Sequence, residues 1–407
     1  MQLVARQKLR RLFLRKKNKL DLTMLSRFSL PAVLGVCLLT GCSTLSSLNP
    51  FAKPDPKTAP AVLQDFKASM SAKTAWTASV GDAGNYVFSP ASVGADIYAA
   101  SSDGTVLKLN AASGQVVWKI KADSGLTAGV AANGTAVAVA GEKGMLFVYN
   151  AQGALRWKAQ ASSEILTAPV IAEGMLLVHS IDNRIAAYDV ETGARKWMVE
   201  RPLPILTLRI VSGITVKDQL AVVASPGGKL LSLALQNGGM RWEASTAEAK
   251  GSTELERIVD MSGAPVIVGS NVCAVTYQGR VGCFDVATGA ARWTKNISSE
   301  VGVAADERFV FAADNQGGVF AYAISGGSSV WHNDQLAFRQ LSTPTSFGRA
   351  VVLGDRFGFV HFLSREDGAF IARVATDGSK IVSAPLIVGN NLVVQTKSGA
   401  IVAIATE

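Results

Sequence analysis

The sequence predicts an all-β fold, an eight-bladed β-propeller of four-stranded antiparallel blades. The first observation is the spacing of the tryptophans, which recur every 38 to 51 residues. They are Trp76, Trp118, Trp157, Trp197, Trp242, Trp293 and Trp331. The second is an alternating apolar strand, opened by a turn glycine or its equivalent, that occurs eight times in the same part of the chain. The third is that these repeats contain no helical pattern, and a period near 40 residues with four short strands is typical of propeller blades.

Each repeat divides into four short strands. The third strand follows a turn position, and the eight turn positions are Gly104, Gly144, Asn183, Gly228, Gly279, Gly317, Gly358 and Gly399. An apolar second strand precedes this turn, as at residues 97–100, and the pair predicts a hairpin because the turn residues tolerate positive φ. A second turn, such as Asp189 to Gly193, leads to the tryptophan strand. A short first strand often follows a proline such as Pro169, which costs no ladder hydrogen bond at the start of an edge strand.

The strand count fixes eight blades and predicts how the ring closes. The strand at Trp76 precedes the first complete repeat, whereas the last repeat, at residues 401–404, has no fourth strand after it. Ala372 occupies the tryptophan position of the preceding repeat, so Trp76 to Ala372 also gives eight. We therefore expect the Trp76 strand to complete the last blade, which would hide both edges of the array, and we expect the propeller to span residues 73–407.

The regularity of the tryptophans predicts a structural role for all seven. A row of indole rings could instead be a stacking platform for sugar or nucleic acid. One ring at the same strand end of each blade, however, favours packing between neighbouring blades, where each would bury about 150–250 Å².

Residues 1–41 have the layout of a secretion signal. Residues 1–23 carry +7 of the net charge of +9, and the apolar run from Phe28 to Leu39 has 12 residues. That length suits a signal-peptide core and is too short to cross a bilayer as a helix. Without everything before Cys42 the net charge is +1, so the basic composition gives no argument for nucleic-acid binding.

The end of this leader resembles the lipobox of bacterial lipoproteins. Residues 39–42 read Leu-Thr-Gly-Cys, and the resemblance makes Cys42 the lipidated residue and the new N-terminus. Met24 would be a more usual start than Met1. The next stretch is rich in proline, at Pro50, Pro54, Pro56 and Pro60. This composition resists compact structure, so residues 42–72 are expected to form a flexible tether.

Enzyme chemistry finds little support in the sequence. The three histidines, His179, His332 and His361, are scattered over different blades, and no metal-ligand spacing occurs among the histidines and cysteines. A glycine-rich phosphate loop, a nucleophile elbow and a paired catalytic carboxylate are all missing. We therefore expect no catalytic residue, no cofactor and no bound metal.

Cys273 and Cys283 flank one of the hairpin turns. In an oxidising compartment they could form a cross-strand disulfide, provided that the register places them directly opposite each other. A two-residue turn would offset them by one position. The expectation favours two free, buried thiols that act as small hydrophobic side chains.

Two intervals break the period, those ending at Trp242 and Trp293, with 45 and 51 residues. Their extra residues must lie in loops, which often build the binding face of repeat proteins. One insertion, residues 201–209, contains Leu206, Leu208 and Arg209, and the other covers residues 243–264. Apolar side chains beside charges predict a protein-docking patch. The alternative is that Leu206 and Leu208 fold back and cap the propeller.

Together, the lipobox, the proline-rich tether, the eight tryptophan-marked blades and the two insertions resemble the BamB family, the lipoprotein subunits of the outer-membrane β-barrel assembly machinery. The resemblance implies that Leu206, Leu208, Arg209 and Asp260 form the surface that engages the periplasmic POTRA domains of BamA, and through BamA the other subunits. A further acidic position of the family is Ser262 in this sequence.

The same resemblance implies a non-enzymatic scaffold, anchored by lipid at the periplasmic face of the outer membrane, that supports insertion of outer-membrane β-barrel proteins. Nascent β-barrel proteins are a further candidate partner, and nucleic acid is not.

Two alternatives remain open at this point. The blade repeat also resembles that of quinoprotein dehydrogenases, which bind pyrroloquinoline quinone and calcium, but this chain lacks their vicinal cysteine pair and most of its blade intervals are too short for a cofactor pocket. A propeller that binds another component of the envelope is the second alternative.

Overall fold

Eight four-stranded antiparallel sheets form a propeller ring in the computed structural model, which describes residues 58–407. The predicted leader, Cys42 and the greater part of the predicted tether lie outside the described residues. The described part contains no α-helix, and its only helical element is a single 3₁₀ turn, Glu142–Gly144. The predicted all-β fold class is confirmed.

A first strand, β1, which we name the entry strand, precedes blade 1, and blades 1 to 4 follow it in chain order. The entry strand and these four blades are β1 (Ala72–Ser79); β2 (Ala91–Val93), β3 (Asp96–Ala100), β4 (Thr105–Asn110), β5 (Val116–Lys121); β6 (Ala131–Ala132), β7 (Ala136–Ala140), β8 (Met145–Asn150), β9 (Leu155–Gln160); β10 (Val170–Ala172), β11 (Met175–Ser180), β12 (Arg184–Asp189), β13 (Arg195–Glu200); β14 (Ile214–Lys217), β15 (Leu220–Ser225), β16 (Lys229–Ala234), β17 (Met240–Ser245).

Blades 5 to 8 continue in the same way, and the last has three strands of its own. They are β18 (Met261–Val268), β19 (Asn271–Thr276), β20 (Gly279–Asp285), β21 (Ala291–Ile297); β22 (Ala304–Ala305), β23 (Phe309–Ala313), β24 (Val319–Ala323), β25 (Ser329–Asn333); β26 (Thr345–Phe347), β27 (Ala350–Gly354), β28 (Phe359–Ser364), β29 (Phe370–Ala375); β30 (Leu386–Val388), β31 (Asn391–Gln395), β32 (Ala400–Thr406).

The entry strand closes the ring as predicted. Blade 8 has the strand order β30-β31-β32-β1, and β1 pairs antiparallel with β32, with Trp76 opposite Ala403. Ala372 lies opposite Phe362 in blade 7, as Trp197 lies opposite Ala187 in blade 3. Ala372 therefore does occupy the tryptophan position of its blade.

The core consists of eight apolar clusters, each filled by side chains of two neighbouring blades. Each of the seven indole Nε1–H groups donates to a backbone carbonyl 31 to 44 residues later, in the next blade. Trp197, for example, donates to the Leu235 carbonyl at 2.8 Å and packs on Gly238, whose φ is +70°. A Cβ on Gly238 would lie 2.7 Å from the indole ring. The tryptophans therefore join the blades, as predicted.

The disulfide expectation was wrong. The register of β19 and β20 pairs Val275 with Val281, and this places Cys273 directly opposite Cys283. The two Cα atoms are 4.1 Å apart and the sulfurs are bonded. The assumed two-residue turn was one residue too short, and a change of one residue in a turn decides whether two positions face each other. Both cysteines are fully buried.

The predicted tether boundary also needs correction. Residues 61–71, which we name the strap, lie against blades 6 and 7 and lead into β1. Three arginines hold it through its backbone: Arg339 donates to the Ala61 carbonyl at 3.0 Å, Arg373 to that of Gln64 at 3.3 Å and Arg349 to that of Ser69 at 2.6 Å. The prolines of the predicted tether end at Pro60, so the strap itself contains none, and its extended backbone docks on a preformed surface.

The strap fills a gap in the repeat. At the junction of blades 7 and 8, Ala372 leaves no indole ring, and Met70 and Ala72 pack against the cluster that contains Ala372. Phe66 stacks on Phe370 with ring centroids 5.4 Å apart. The strap thus supplies apolar contacts at the one junction where a tryptophan is replaced by alanine.

Antiparallel order within the blades decides which loops share a face of the ring. The connection from the fourth strand of one blade to the first strand of the next lies on the same face as the turn between the second and third strands. We name this the loop face. Both insertions and the start of the strap, at Ala61 against Ala337, belong to this face.

Candidate partner-binding site

The first insertion is an irregular loop, residues 201–213, between β13 and β14. It presents large apolar side chains to solvent: Leu203 is 45% exposed, Ile205 83% and Leu206 42%. Such residues on one short loop mark an interaction surface. Leu206 therefore does not fold back to cap the propeller, whereas the backbone at Leu208 turns inward and that residue is half-buried.

Asp260 lies beneath this loop, and its placement differs from the prediction. Its side chain is buried, with 3% exposed. One carboxylate oxygen accepts the Leu208 N–H at 2.6 Å and the other accepts the Gly227 N–H at 3.0 Å. A carboxylate engaged in this way is not part of the exposed surface. The structure brings Asp260 and Leu208 together, and the buried Asp260 side chain holds the loop by hydrogen bonds.

Arg209 is the exposed cation of the loop. Its guanidinium donates to Glu164 at 2.9 Å, and 63% of its side chain remains accessible. Beside it lies a depression of about 180 Å³, which is lined among others by Leu208, Ile181 and Pro226. The site therefore combines a depression of mixed polar and apolar lining with a cation at its rim.

A larger depression of about 310 Å³ lies on the other side of the loop. Its apolar lining includes Leu203, Pro204 and Pro226. Arg201 and Glu243 form an ion pair at its edge. We name Leu203, Ile205, Leu206, Leu208 and Arg209 the docking surface, because these side chains belong to the one loop whose two halves line the two depressions.

Asn183 fixes the base of the loop, which sequence reasoning missed. Its side-chain amide donates to the Pro202 carbonyl at 2.9 Å, and its carbonyl oxygen accepts the Ser225 hydroxyl at 2.8 Å. The same oxygen lies 3.0 Å from His179 Nε2, which therefore carries the proton. Burial lowers the pKa of His179, so the ring is neutral. The available signal was that Asn183 replaces the glycine found at the other seven turn positions.

The second insertion, between β17 and β18, closes on itself. The Glu256 carboxylate accepts the backbone N–H groups of Ser252 and Thr253 at 2.7 and 3.2 Å. This capped turn exposes Leu255. Ser262 is buried and donates to the Ser299 carbonyl at 2.7 Å, so the position where the family resemblance has an acid is a structural hydroxyl here.

His361 and Asp355 form a buried pair with a structural role. Arg373 donates to His361 Nδ1 at 3.3 Å, so Nε2 carries the proton and donates to Asp355 at 3.0 Å. Burial lowers the pKa of His361. Across residues 58–407, no group of three or more histidine, cysteine or acidic residues could hold a metal ion. Over the same range, no helix has both the length and the apolar character needed to cross a membrane.

Known proteins resemble this chain over most of its length. Residues 102–333 match the family model described as outer membrane protein assembly factor BamB. The relative from Burkholderia pseudomallei that bears this name is 42% identical over 93% of this chain and 98% of its own. The chain belongs to the BamB family. The Bordetella pertussis member is 40% identical over 90% of this chain and 96% of its own.

Solved structures agree on the fold. The crystal structure of BamB from Moraxella catarrhalis matches with a TM-score of 0.77 and 23% identity, over 82% of this chain and 100% of that one. A quinohemoprotein alcohol dehydrogenase from Comamonas testosteroni matches with a TM-score of 0.65 and 12% identity, over 82% of this chain and 76% of that one. At these identities the likeness concerns the fold alone, and the sequence match is to the BamB family.

Proposed function

We propose that this BamB-family chain is a non-enzymatic scaffold lipoprotein of the outer-membrane β-barrel assembly machinery. In this proposal it binds the periplasmic POTRA domains of BamA through the docking surface and supports the insertion of outer-membrane β-barrel proteins. A lipid on Cys42 anchors it to the periplasmic face of the outer membrane. Family membership supports the assembly role, and the exposure of Ile205 and Leu206 beside Arg209 carries the choice of site.

The physical argument is that the docking surface is organised before a partner binds. Asp260 and Asn183 hold both ends of the loop by hydrogen bonds to backbone groups. A loop that is already ordered loses little conformational entropy on binding, which leaves more of the contact energy for affinity. Exposed apolar side chains around one arginine match the composition of interface hot spots, in which a few residues dominate the binding energy.

The position of the strap is consistent with this arrangement. The strap begins on the loop face, which also carries the docking surface. Residues 42–60 connect Cys42 to that point, and a fully extended chain of this length spans at most about 60–70 Å. A lipid on Cys42 would therefore keep the docking surface within that distance, plus the width of the ring, of the membrane.

The test is a double substitution of exposed residues, Leu206→Ala with Arg209→Ala. Loss of an apolar anchor and a charged contact is expected to cost about 2–4 kcal/mol of binding free energy, which weakens binding more than tenfold. Co-purification with BamA from detergent-solubilised envelopes and titration with isolated POTRA domains measure this. The matched control is Leu155→Ala with Arg195→Ala, two exposed residues on outer strands of blades 2 and 3. Undiminished binding by a folded Leu206/Arg209 variant would refute the proposed site.

A further inference from the structure

Three cationic residues lie in neighbouring loops of the loop face at blades 7 and 8, far along the chain from the docking surface. Arg356 lies in the turn between β27 and β28, Lys380 in the connection from β29 to β30, and Lys397 in the turn between β31 and β32. Backbone hydrogen bonds join these loops: the Lys397 N–H donates to the Lys380 carbonyl at 2.8 Å, and the Ile381 N–H to the Asp355 carbonyl at 3.0 Å. The three positions are therefore neighbours on a fixed backbone.

The charges of this cluster are not neutralised by ion pairs. Within residues 58–407, none of the three has a carboxylate within ion-pair distance. Lys380 is half-buried, and its ammonium donates to the Gln340 side-chain oxygen at 3.1 Å. Burial lowers the pKa of Lys380, and the charges of Lys397 and Arg356 lower it further, against a weaker opposite effect of Glu300.

The two nearby carboxylates, Asp355 and Asp377, form no ion pair with any of the three cations. Asp355 is paired with Arg339 at 2.6 Å and accepts from His361. Asp377 accepts hydrogen bonds from the hydroxyls of Thr396 at 2.9 Å and Ser379 at 3.0 Å. The exposed Glu300 is the acid whose charge raises the pKa of Lys380, against the lowering by burial and by the two other cations. Like charges held together by the backbone repel one another, and a bound anion would relieve this repulsion.

We propose that Arg356, Lys380 and Lys397 form a binding site for a phosphate-bearing anion, either a phospholipid headgroup or a soluble phosphate ester. Three cations on three neighbouring loops match the several oxygens of a phosphate group, whereas a carboxylate offers two oxygens in one plane. Arginine binds phosphate through a fork of N–H groups, and lysine binds it as a point charge. The site is separate from the docking surface and does not depend on the function proposed above.

The site lies close to the start of the strap. Arg356 N–H donates to the Arg339 carbonyl at 3.0 Å, and the Arg339 side chain holds Ala61. The exposed ring of Phe357 lies near both guanidiniums, with Arg339 4.6 Å and Arg356 5.1 Å from its centroid. An exposed aromatic ring among cations is a combination found where proteins meet anionic lipid surfaces.

The experiment is a lysine-reactivity footprint on the full chain, read by mass spectrometry at individual lysines. Acetic anhydride modifies the chain alone, with inorganic phosphate, or with phosphatidylethanolamine vesicles that contain or lack phosphatidylglycerol. Lys380 and Lys397 are expected to be protected by phosphate or by the anionic vesicles, while the exposed Lys119 on β5 is not. Reading each lysine separately keeps the basic leader from dominating the result.

Variants test the same site by affinity. Lys380→Gln is expected to weaken binding of the effective anion by about fivefold, and Lys380→Gln with Lys397→Gln by about 20-fold, since each cation near an anionic surface contributes comparably. Lys119→Gln is the matched control, and thermal melting verifies that each variant folds.

Each outcome decides the proposal. Protection by anionic vesicles alone supports the site and assigns it to a headgroup, and protection by free phosphate alone supports it and assigns it to a soluble ester. Protection by both supports the shared chemistry. The proposal is overturned if neither protects Lys380 and Lys397, or if Lys119 is protected equally.

Discussion

Removing the Asp260 carboxylate separates two roles that the docking loop assigns to it, direct contact with a partner and support of the loop from beneath. The change is Asp260→Ala, with Asp260→Asn as the conservative variant. The structure favours support, because the side chain is buried and both oxygens accept backbone N–H groups, from Leu208 and Gly227. We expect a loss of stability in the loop and, through it, a loss of binding.

The magnitude follows from the two hydrogen bonds. A hydrogen bond to a charged group contributes about 1.5–3 kcal/mol, and an unsatisfied buried N–H costs a similar amount. Leu208 and Gly227 are only half-buried, so water can reach their N–H groups once the loop relaxes, and the expected loss for alanine is about 2–4 kcal/mol. Asparagine keeps one acceptor oxygen and should lose about half of that. For a domain of this size, Asp260→Ala should lower Tm by about 3–8 °C.

The assay combines thermal melting with amide hydrogen exchange and POTRA binding. Exchange at Leu208 and Gly227 should accelerate in Asp260→Ala, and binding should weaken along with this loss of protection. The control is Asp123→Ala, because Asp123 is exposed and takes part only in a surface ion pair of 3.7 Å with Lys158. If Asp260→Ala abolished binding but kept the wild-type Tm and exchange protection, the side chain would act by direct contact and the reasoning would fail.

Two further predictions concern the ring itself. Trp242→Ala should lower the free energy of unfolding, measured with denaturant, by about 3–5 kcal/mol, because it opens a cavity between blades and frees the Val286 carbonyl. The control, the exposed Val116→Ala, should change this free energy by less than about 0.5 kcal/mol. Equal stability of the two variants would contradict the inter-blade role. Burial lowers the pKa of His361 in the folded chain, whereas in the unfolded chain a histidine has its ordinary pKa of about 6.5. Below that pH the unfolded chain therefore binds more protons than the folded chain. The contribution of His361 to the free energy of unfolding should be constant above that pH and should fall as the pH drops below it. Melting curves between pH 7.5 and 5 measure this, and an unchanged wild-type Tm would refute it. His361→Gln should reduce the dependence and leave the part due to His179, whose pKa burial also lowers.

The fold could be predicted because its determinants repeat. Each tryptophan meets the turn glycine of the next blade, so one local pattern, read seven times, encodes contacts between blades. Closure of the ring by β1 could be predicted by counting the fourth strands, because Ala372 completes the series of eight that begins at Trp76. The disulfide could not be predicted with equal certainty, because the facing of Cys273 and Cys283 depends on the length of one turn, which the sequence does not specify.

The candidate site was predicted in part, for a different reason. The lengthened intervals located both insertions, since extra residues in a repeat must lie in loops. The burial of Asp260 could not be predicted from the sequence. Its hydrogen-bond partners are backbone N–H groups, which any residue except proline can supply, so no particular side chain marks them. The strap was missed on the same ground: Arg339, Arg373 and Arg349 hold its carbonyls across nearly 280 residues or more of sequence. Contacts made through the backbone leave no pattern in the side chains of the segment that is held.

The loop face connects these observations. Because strands alternate in direction within each blade, the connections between blades and the turns between second and third strands must emerge on one side. The docking surface at blades 3 and 4, the start of the strap at blade 6 and the cationic cluster at blades 7 and 8 therefore share that side, although they lie far apart in sequence. A partner bound at the docking surface and an anion bound at the cluster would occupy different sectors of one face, so both could bind at the same time. If the chain is anchored through residues 42–60, the anchor joins the ring between these two sectors. The orientation of the ring would then determine the access of the protein partner to one sector and of the anion to the other.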